Sequence, residues 1–70
     1  MKLIKYKQIC RDLEITQQMI GDYTGHFRET VNSWFNGKDL PSVSYWHIRQ
    51  ELDELIKDRK KFLRTHKKAI

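Results

Sequence analysis

Apolar residues recur every three or four positions along most of the chain, which is the spacing of helices that bury one face. The first such segment predicts a helix over about residues 2–14, with apolar positions Leu3, Tyr6, Ile9, Cys10 and Leu13. The alternation of apolar and polar residues that marks strands is essentially absent. The pattern therefore predicts an all-α domain.

Two short helices follow the first. Thr16 is expected to cap the second helix, because its hydroxyl can accept from an unpaired backbone N–H of the first turn. The buried side of that helix is predicted to hold Met19, Ile20 and Tyr23. Gly25 then suits a left-handed or closely packed turn, and the third helix is predicted over about residues 27–36, with Val31, Trp34 and Phe35 facing inward. Two short helices joined by a glycine-containing turn, here residues 16–36, are typical of a helix-turn-helix.

A fourth, longer helix is predicted over about residues 43–65, which contain no Gly or Pro. Spacings of three and four alternate along it, as in a coiled-coil seam, at Tyr45, Ile48, Leu52, Leu55, Arg59, Phe62 and His66. This face either packs on the first three helices or, in its distal half, pairs with a second subunit. The second alternative predicts a homodimer whose interface contains Leu52, Leu55, Ile56, Phe62 and Leu63.

Length and composition narrow the range of functions. Seventy residues make a single domain, residues 1–70, with no room for a separate catalytic domain. The net charge of +5 favours a polyanionic partner, of which nucleic acid is the first choice. The single cysteine cannot form an intramolecular disulfide, which fits a reducing compartment. No apolar run is long enough to span a membrane, and lysines interrupt the first residues too often for the hydrophobic core of a signal peptide. We therefore expect a cytoplasmic protein that does not cross a membrane.

Within residues 3–50 the chain resembles the lambda-repressor-like (Xre/Cro) helix-turn-helix regulators. The matching positions, without gaps, are Ile15, Thr16, Gln17, Ile20, Gly21 (a small residue, as Ala), Gly25, Arg28, Thr30, Val31, Trp34 and Gly37. Thr24 and His26 stand where that family usually has aliphatic residues, and Phe27 replaces its usual Ser. The resemblance implies a four-helix domain that inserts its third helix into the major groove of DNA.

The exposed start of the third helix carries side chains that can read base edges. Arg28 can pair with guanine O6 and N7, Glu29 can accept from cytosine N4, and Asn32, one turn on, could read adenine. Ser33 is a weaker candidate. The alternative is that Arg28 and Asn32 are ordinary solvated surface residues.

Other residues would position the protein on the DNA backbone. The resemblance places Gln17 against phosphate at the start of the second helix, where the helix N-terminus favours an anion. The remaining candidates for such positioning are Phe27, Thr30, Asn36 and Lys38. Phe27 could instead contact a thymine methyl group or cover the turn.

The end of the chain is basic, with Lys57, Arg59, Lys60, Lys61, Arg64, Lys67 and Lys68 against the single acid Asp58. Such a run is either a solvated helix face or a contact to DNA backbone, RNA or acidic lipid. No metal site is expected, because Cys10, His26, His47 and His66 lack zinc-ligand spacing. Cys10 is expected to be a small buried side chain. No cofactor and no enzymatic activity are expected.

These observations predict a sequence-specific transcriptional regulator of the phage or bacterial repressor/Cro type. Its partner would be a near-palindromic, double-stranded DNA operator that a homodimer binds through two successive major grooves. The alternative is an antitoxin or other interaction module whose C-terminal helix binds a protein partner.

Overall fold

A computed structural model describes residues 1–68 of the chain, and the side chains of residues 1–64. These residues contain four α-helices, joined by short turns and loops, and no strand. The helices are α1 (Ile4–Asp12), α2 (Gln17–Thr24), α3 (Arg28–Phe35) and α4 (Ser42–Lys68). The predicted all-α, four-helix domain is therefore confirmed.

One hydrophobic core receives side chains from all four helices. α2 packs against α3 and α4, and α1 packs against α3. The core residues are Leu3, Tyr6, Cys10, Ile15, Ile20, Val31, Trp34, Phe35, Leu40, Tyr45, Ile48, Leu52 and Ile56. The inward face predicted for α3 is confirmed, whereas Tyr23 and Ile9 are exposed by 42% and 39%. Cys10 is buried as expected, and its burial raises the pKa of the thiol to about 11.

The three short helices end in the same way. Each is followed by a residue in the left-handed region, namely Glu14 (φ 58°), Gly25 (φ 77°) and Gly37 (φ 101°). The backbone N–H of the residue after it donates to a carbonyl in the last turn of the helix. These hydrogen bonds run from Ile15 to Cys10 (2.8 Å), from His26 to Gly21 (2.9 Å) and from Lys38 to Ser33 (3.1 Å). These are the hydrogen bonds of the Schellman motif, which satisfies helix-end carbonyls while the chain turns.

The first half of α4 belongs to the core of its own domain. Tyr45, Ile48, Leu52 and Ile56 are at most 8% exposed, and Leu55 packs partly against them. The assignment of Leu52 and Ile56 to a dimer interface was therefore wrong, because both side chains are already buried in the core of their own domain. Phe62 remains 47% exposed and Leu63 is half-buried. The seam residue His66 lies outside the residues whose side chains are described.

Arg59, the charged residue in the seam of α4, makes its polar contacts within its own domain. Its Nε donates to the Leu13 carbonyl at 2.9 Å, and Nη2 lies 3.8 Å from a Glu14 carboxylate oxygen. Arg59 therefore joins α4 to the end of α1. The helix continues past this contact, and its 27 residues, about 40 Å at 1.5 Å per residue, account for the 42 Å long axis. No helix among the described residues is long and apolar enough to span a membrane.

Candidate nucleic-acid interface

The start of α2 is fixed by a reciprocal cap. The backbone of Thr16 is extended, and its hydroxyl accepts from the Met19 N–H at 3.1 Å. The Met19 sulfur in turn accepts from the Thr16 N–H at 3.5 Å, in the place that Glu or Gln takes in the usual capping box. The predicted cap is confirmed, and it holds Gln17 at the first position of the helix.

The turn between α2 and α3 depends on two glycines for different reasons. Gly25 has a left-handed backbone, as predicted, with open space around the position of a Cβ. Gly21 is helical, but a Cβ there would lie 2.6 Å from the His26 carbonyl oxygen. An alanine here would therefore force the backbone to shift, although the family pattern has Ala at the corresponding position. The His26 ring meets Trp34 edge to face, with 5.0 Å between ring centroids, so it takes a packing position in place of an aliphatic residue.

The exposed surface of α3 brings four predicted residues together. Arg28, Glu29 and Asn32 are exposed on one side of the helix, and with Gln17 they line a shallow depression. The Gln17 amide Nε2 donates to Asn32 Oδ1 at 3.1 Å. This hydrogen bond links the start of α2 to the middle of α3, so the relative positions of the two helices fix the orientation of Asn32.

Phe27 occupies the N-cap position of α3 and supplies no side-chain hydrogen bond to it. Its ring is 81% exposed. The interpretation that Phe27 covers the turn was therefore wrong, and the ring is available to a ligand beside Arg28. Its carbonyl accepts from the Thr30 and Val31 N–H groups at 3.0 and 3.1 Å, which starts the helix.

Of the other predicted residues, Thr30 and Ser33 lie on α3, whereas Asn36 and Lys38 follow its C-terminal end. The Ser33 hydroxyl donates to the Thr30 carbonyl at 2.6 Å, so Ser33 could only accept a hydrogen bond from a base. Thr30 is half-buried on the adjacent turn. Asn36 and Lys38 are exposed beyond the C-terminal end of α3, about 12 Å from Arg28 for an eight-residue helix. They do not line the depression with Arg28, and their contact with the DNA backbone stays a prediction.

Sequence reasoning missed two basic residues near the start of α2. Lys7 and Arg11, one turn apart on α1, line a second depression together with Thr16 and Gln17. The four-residue spacing places both cations on one side of α1. That spacing was visible in the sequence, but only the packing of α1 places it beside Gln17.

Comparisons of this chain with family models, with curated proteins and with solved structures found no match. A function can therefore be inferred only from the residues and their geometry. Within the described part of the chain, no three His, Cys, Asp or Glu side chains group as a metal-binding set.

Proposed function

We propose that this protein is a sequence-specific DNA-binding transcriptional regulator of the repressor/Cro type. The observation that carries the proposal is the single exposed surface formed by Gln17, Arg28, Glu29 and Asn32, with the 3.1 Å hydrogen bond between Gln17 and Asn32. A helix whose first turn is exposed in this way can enter the major groove, where each base pair presents a distinct set of donors and acceptors.

The three side chains of α3 differ in the bases they fit. The Arg28 guanidinium suits guanine, and the Glu29 carboxylate suits the amino group of cytosine. Asn32 accepts the Gln17 hydrogen bond with one lone pair of Oδ1, which leaves a second lone pair and the NH₂ group for adenine. Gln17 thus acts as a positioning residue for Asn32.

Cations on α1 complement this surface. Lys7 and Arg11 flank the N-terminus of α2, whose backbone N–H groups favour an anion. We assign to them contacts with the phosphates on one side of the groove, which fix the orientation of α3 without reading sequence. Each such contact steepens the dependence of log affinity on log salt by about 0.9.

Selection of bound sequences from a random DNA pool tests the proposal directly. Enrichment of a half-site, repeated at about one helical turn, is expected for a dimer on a near-palindromic operator. Failure to enrich any sequence would overturn the assignment.

The Arg28→Ala variant then identifies the residue that reads bases. We expect a loss of about 1–3 kcal/mol on the selected site and little change on random DNA. The matched control is Lys5→Ala, which removes one positive charge from an exposed residue of α1 that has no part in the candidate surface. An equal loss on both DNAs for Arg28→Ala would make Arg28 a phosphate contact.

A second candidate function is a protein-interaction module such as an antitoxin. The exposed Phe62, nearly two turns beyond the buried Ile56, favours it. Under this alternative, which can coexist with operator binding, removal of residues 57–70 abolishes binding to the partner protein.

A further inference from the structure

The distal part of α4 has a strongly asymmetric charge. Residues 50–58 contain four acids and one lysine, a net charge of −3, whereas residues 60–68 contain five Lys or Arg and no acid, a net charge of +5. Arg59, between the two segments, contacts Leu13 and Glu14 of its own domain. We call residues 60–68 the α4 tip. Two such tips repel each other if they lie side by side, and each is attracted to the segment that precedes it in another copy.

An acidic surface lies on the same side of α4 as the exposed Phe62. Glu51, Glu54 and Asp58 follow one another at intervals of three and four residues, and so share one side of the helix. The hydroxyl of Tyr23 on α2 donates to Glu54 at 3.3 Å. Burial and these three carboxylates raise the pKa of Tyr23, which marks a concentration of negative charge at this surface. We call these three carboxylates the acidic patch.

An apolar stripe runs beside the acidic patch. Leu55 is half-buried against the core, and Phe62, two turns further along, is 47% exposed. The seven-residue interval places the two side chains on the same side of the helix. The stripe therefore begins in the domain core and continues onto the α4 tip.

We propose that α4 of a second copy of this chain covers the stripe, in antiparallel orientation. This arrangement lays the basic tip of each protomer along the acidic patch of the other and brings Leu55 of one protomer against Phe62 of its partner. A parallel arrangement would instead stack tip on tip. In an antiparallel two-fold pair the contacts are self-complementary, and they centre between residues 55 and 62, close to Asp58. The pairing uses no residue of the α3 surface, so it can hold or fail independently of DNA reading.

Single cysteines test the orientation. Asp58→Cys places a thiol next to its own copy across the two-fold axis, so mild oxidation should give a covalent dimer. Glu51→Cys is the matched control, since its copy would lie about 15 residues away along the pair, or about 22 Å. That distance exceeds the separation of about 7 Å beyond which two cysteines cannot form a disulfide. The native Cys10 is 1% exposed, so wild-type protein gives the background.

Phe62→Ser tests the stripe by sedimentation of the full-length chain. We expect its dimer dissociation constant to rise roughly tenfold or more, because an apolar ring leaves the interface. Phe27→Ser removes an exposed ring from α3 and should leave the dimer unchanged. Coupling at position 58 but not at 51, together with this contrast, supports the proposal. Coupling at both positions, at neither, or a monomeric wild-type protein would overturn it.

Discussion

Gly21→Ala inverts the usual expectation for a glycine inside a helix. On helix propensity alone, alanine would stabilise α2 by about 1 kcal/mol. The added Cβ, however, would lie 2.6 Å from the His26 carbonyl oxygen, closer than real Cβ contacts come, so one of the two groups must shift. The backbone must move with it, because neither group is a flexible side-chain end.

Overpacking of this kind costs about 1–3 kcal/mol, and more where the backbone must shift. We expect Gly21→Ala to lower the free energy of unfolding by about 1–3 kcal/mol. For a domain of this size that lowers the melting temperature by roughly 4–8 °C per kcal/mol. His26 lies two residues before the start of α3 at Arg28, so a displaced His26 carbonyl should shift the start of α3, and affinity for the selected DNA site should fall.

Thermal and urea unfolding, followed by far-ultraviolet circular dichroism, measure the stability of the variant. Gly25→Ala is the matched control: its Cβ meets nothing within 4 Å, so the cost is only that of a left-handed alanine, about 1 kcal/mol. That control should keep its affinity for DNA. A Gly21→Ala protein as stable as wild type, or more stable, would refute the close approach of α2 to the turn.

Three further changes test separate features of the chain. Phe27→Ala should alter the free energy of unfolding by less than about 0.5 kcal/mol, since the ring is 81% exposed, while operator affinity falls by about 1 kcal/mol. A clear loss of stability in urea would contradict the exposed position of the ring. Glu14→Gly should raise the free energy of unfolding by about 0.5–1 kcal/mol, because glycine relieves a left-handed residue (φ 58°) at the cost of a weak exposed ion pair; an unchanged urea midpoint would count against this. The buried Cys10 thiol has its pKa raised to about 11, so the unfolded chain loses this proton first and stability falls as pH rises from about 9 to 11. Wild type should lose about 1–3 kcal/mol more over this range than Cys10→Ala, and parallel pH profiles would rule out the contribution.

Local signals in the sequence were sufficient to predict the four helices. Thr16 caps α2 through a hydrogen bond to a residue three positions away, and the inward face of α3 follows from periodicity within eight residues. Predictions of this kind succeed because the interacting groups belong to one helix or one turn. The candidate DNA surface is an extension of the same reasoning, since Arg28, Glu29 and Asn32 share a face of α3 by helical spacing alone.

Contacts between segments far apart in the sequence determined how far the core extends along α4 and what Arg59 binds. The repeat of α4 could not show where the core ends, so Leu52 and Ile56 were placed in a dimer interface although both are buried in the core of one domain. Arg59 looked like a break in the seam, yet it donates to the Leu13 carbonyl, 46 residues earlier.

The sequence by itself thus determined which segments are helical, that Thr16 caps α2 and which face of α3 is apolar, because these properties depend on neighbours along the chain. Only the tertiary structure decided that Gly21 lies against the His26 carbonyl, that Phe27 is exposed, and that Lys7 and Arg11 lie beside Gln17. The physical reason is close packing: whether a side chain is covered, in contact or free depends on what the folded chain brings within a few ångströms of it.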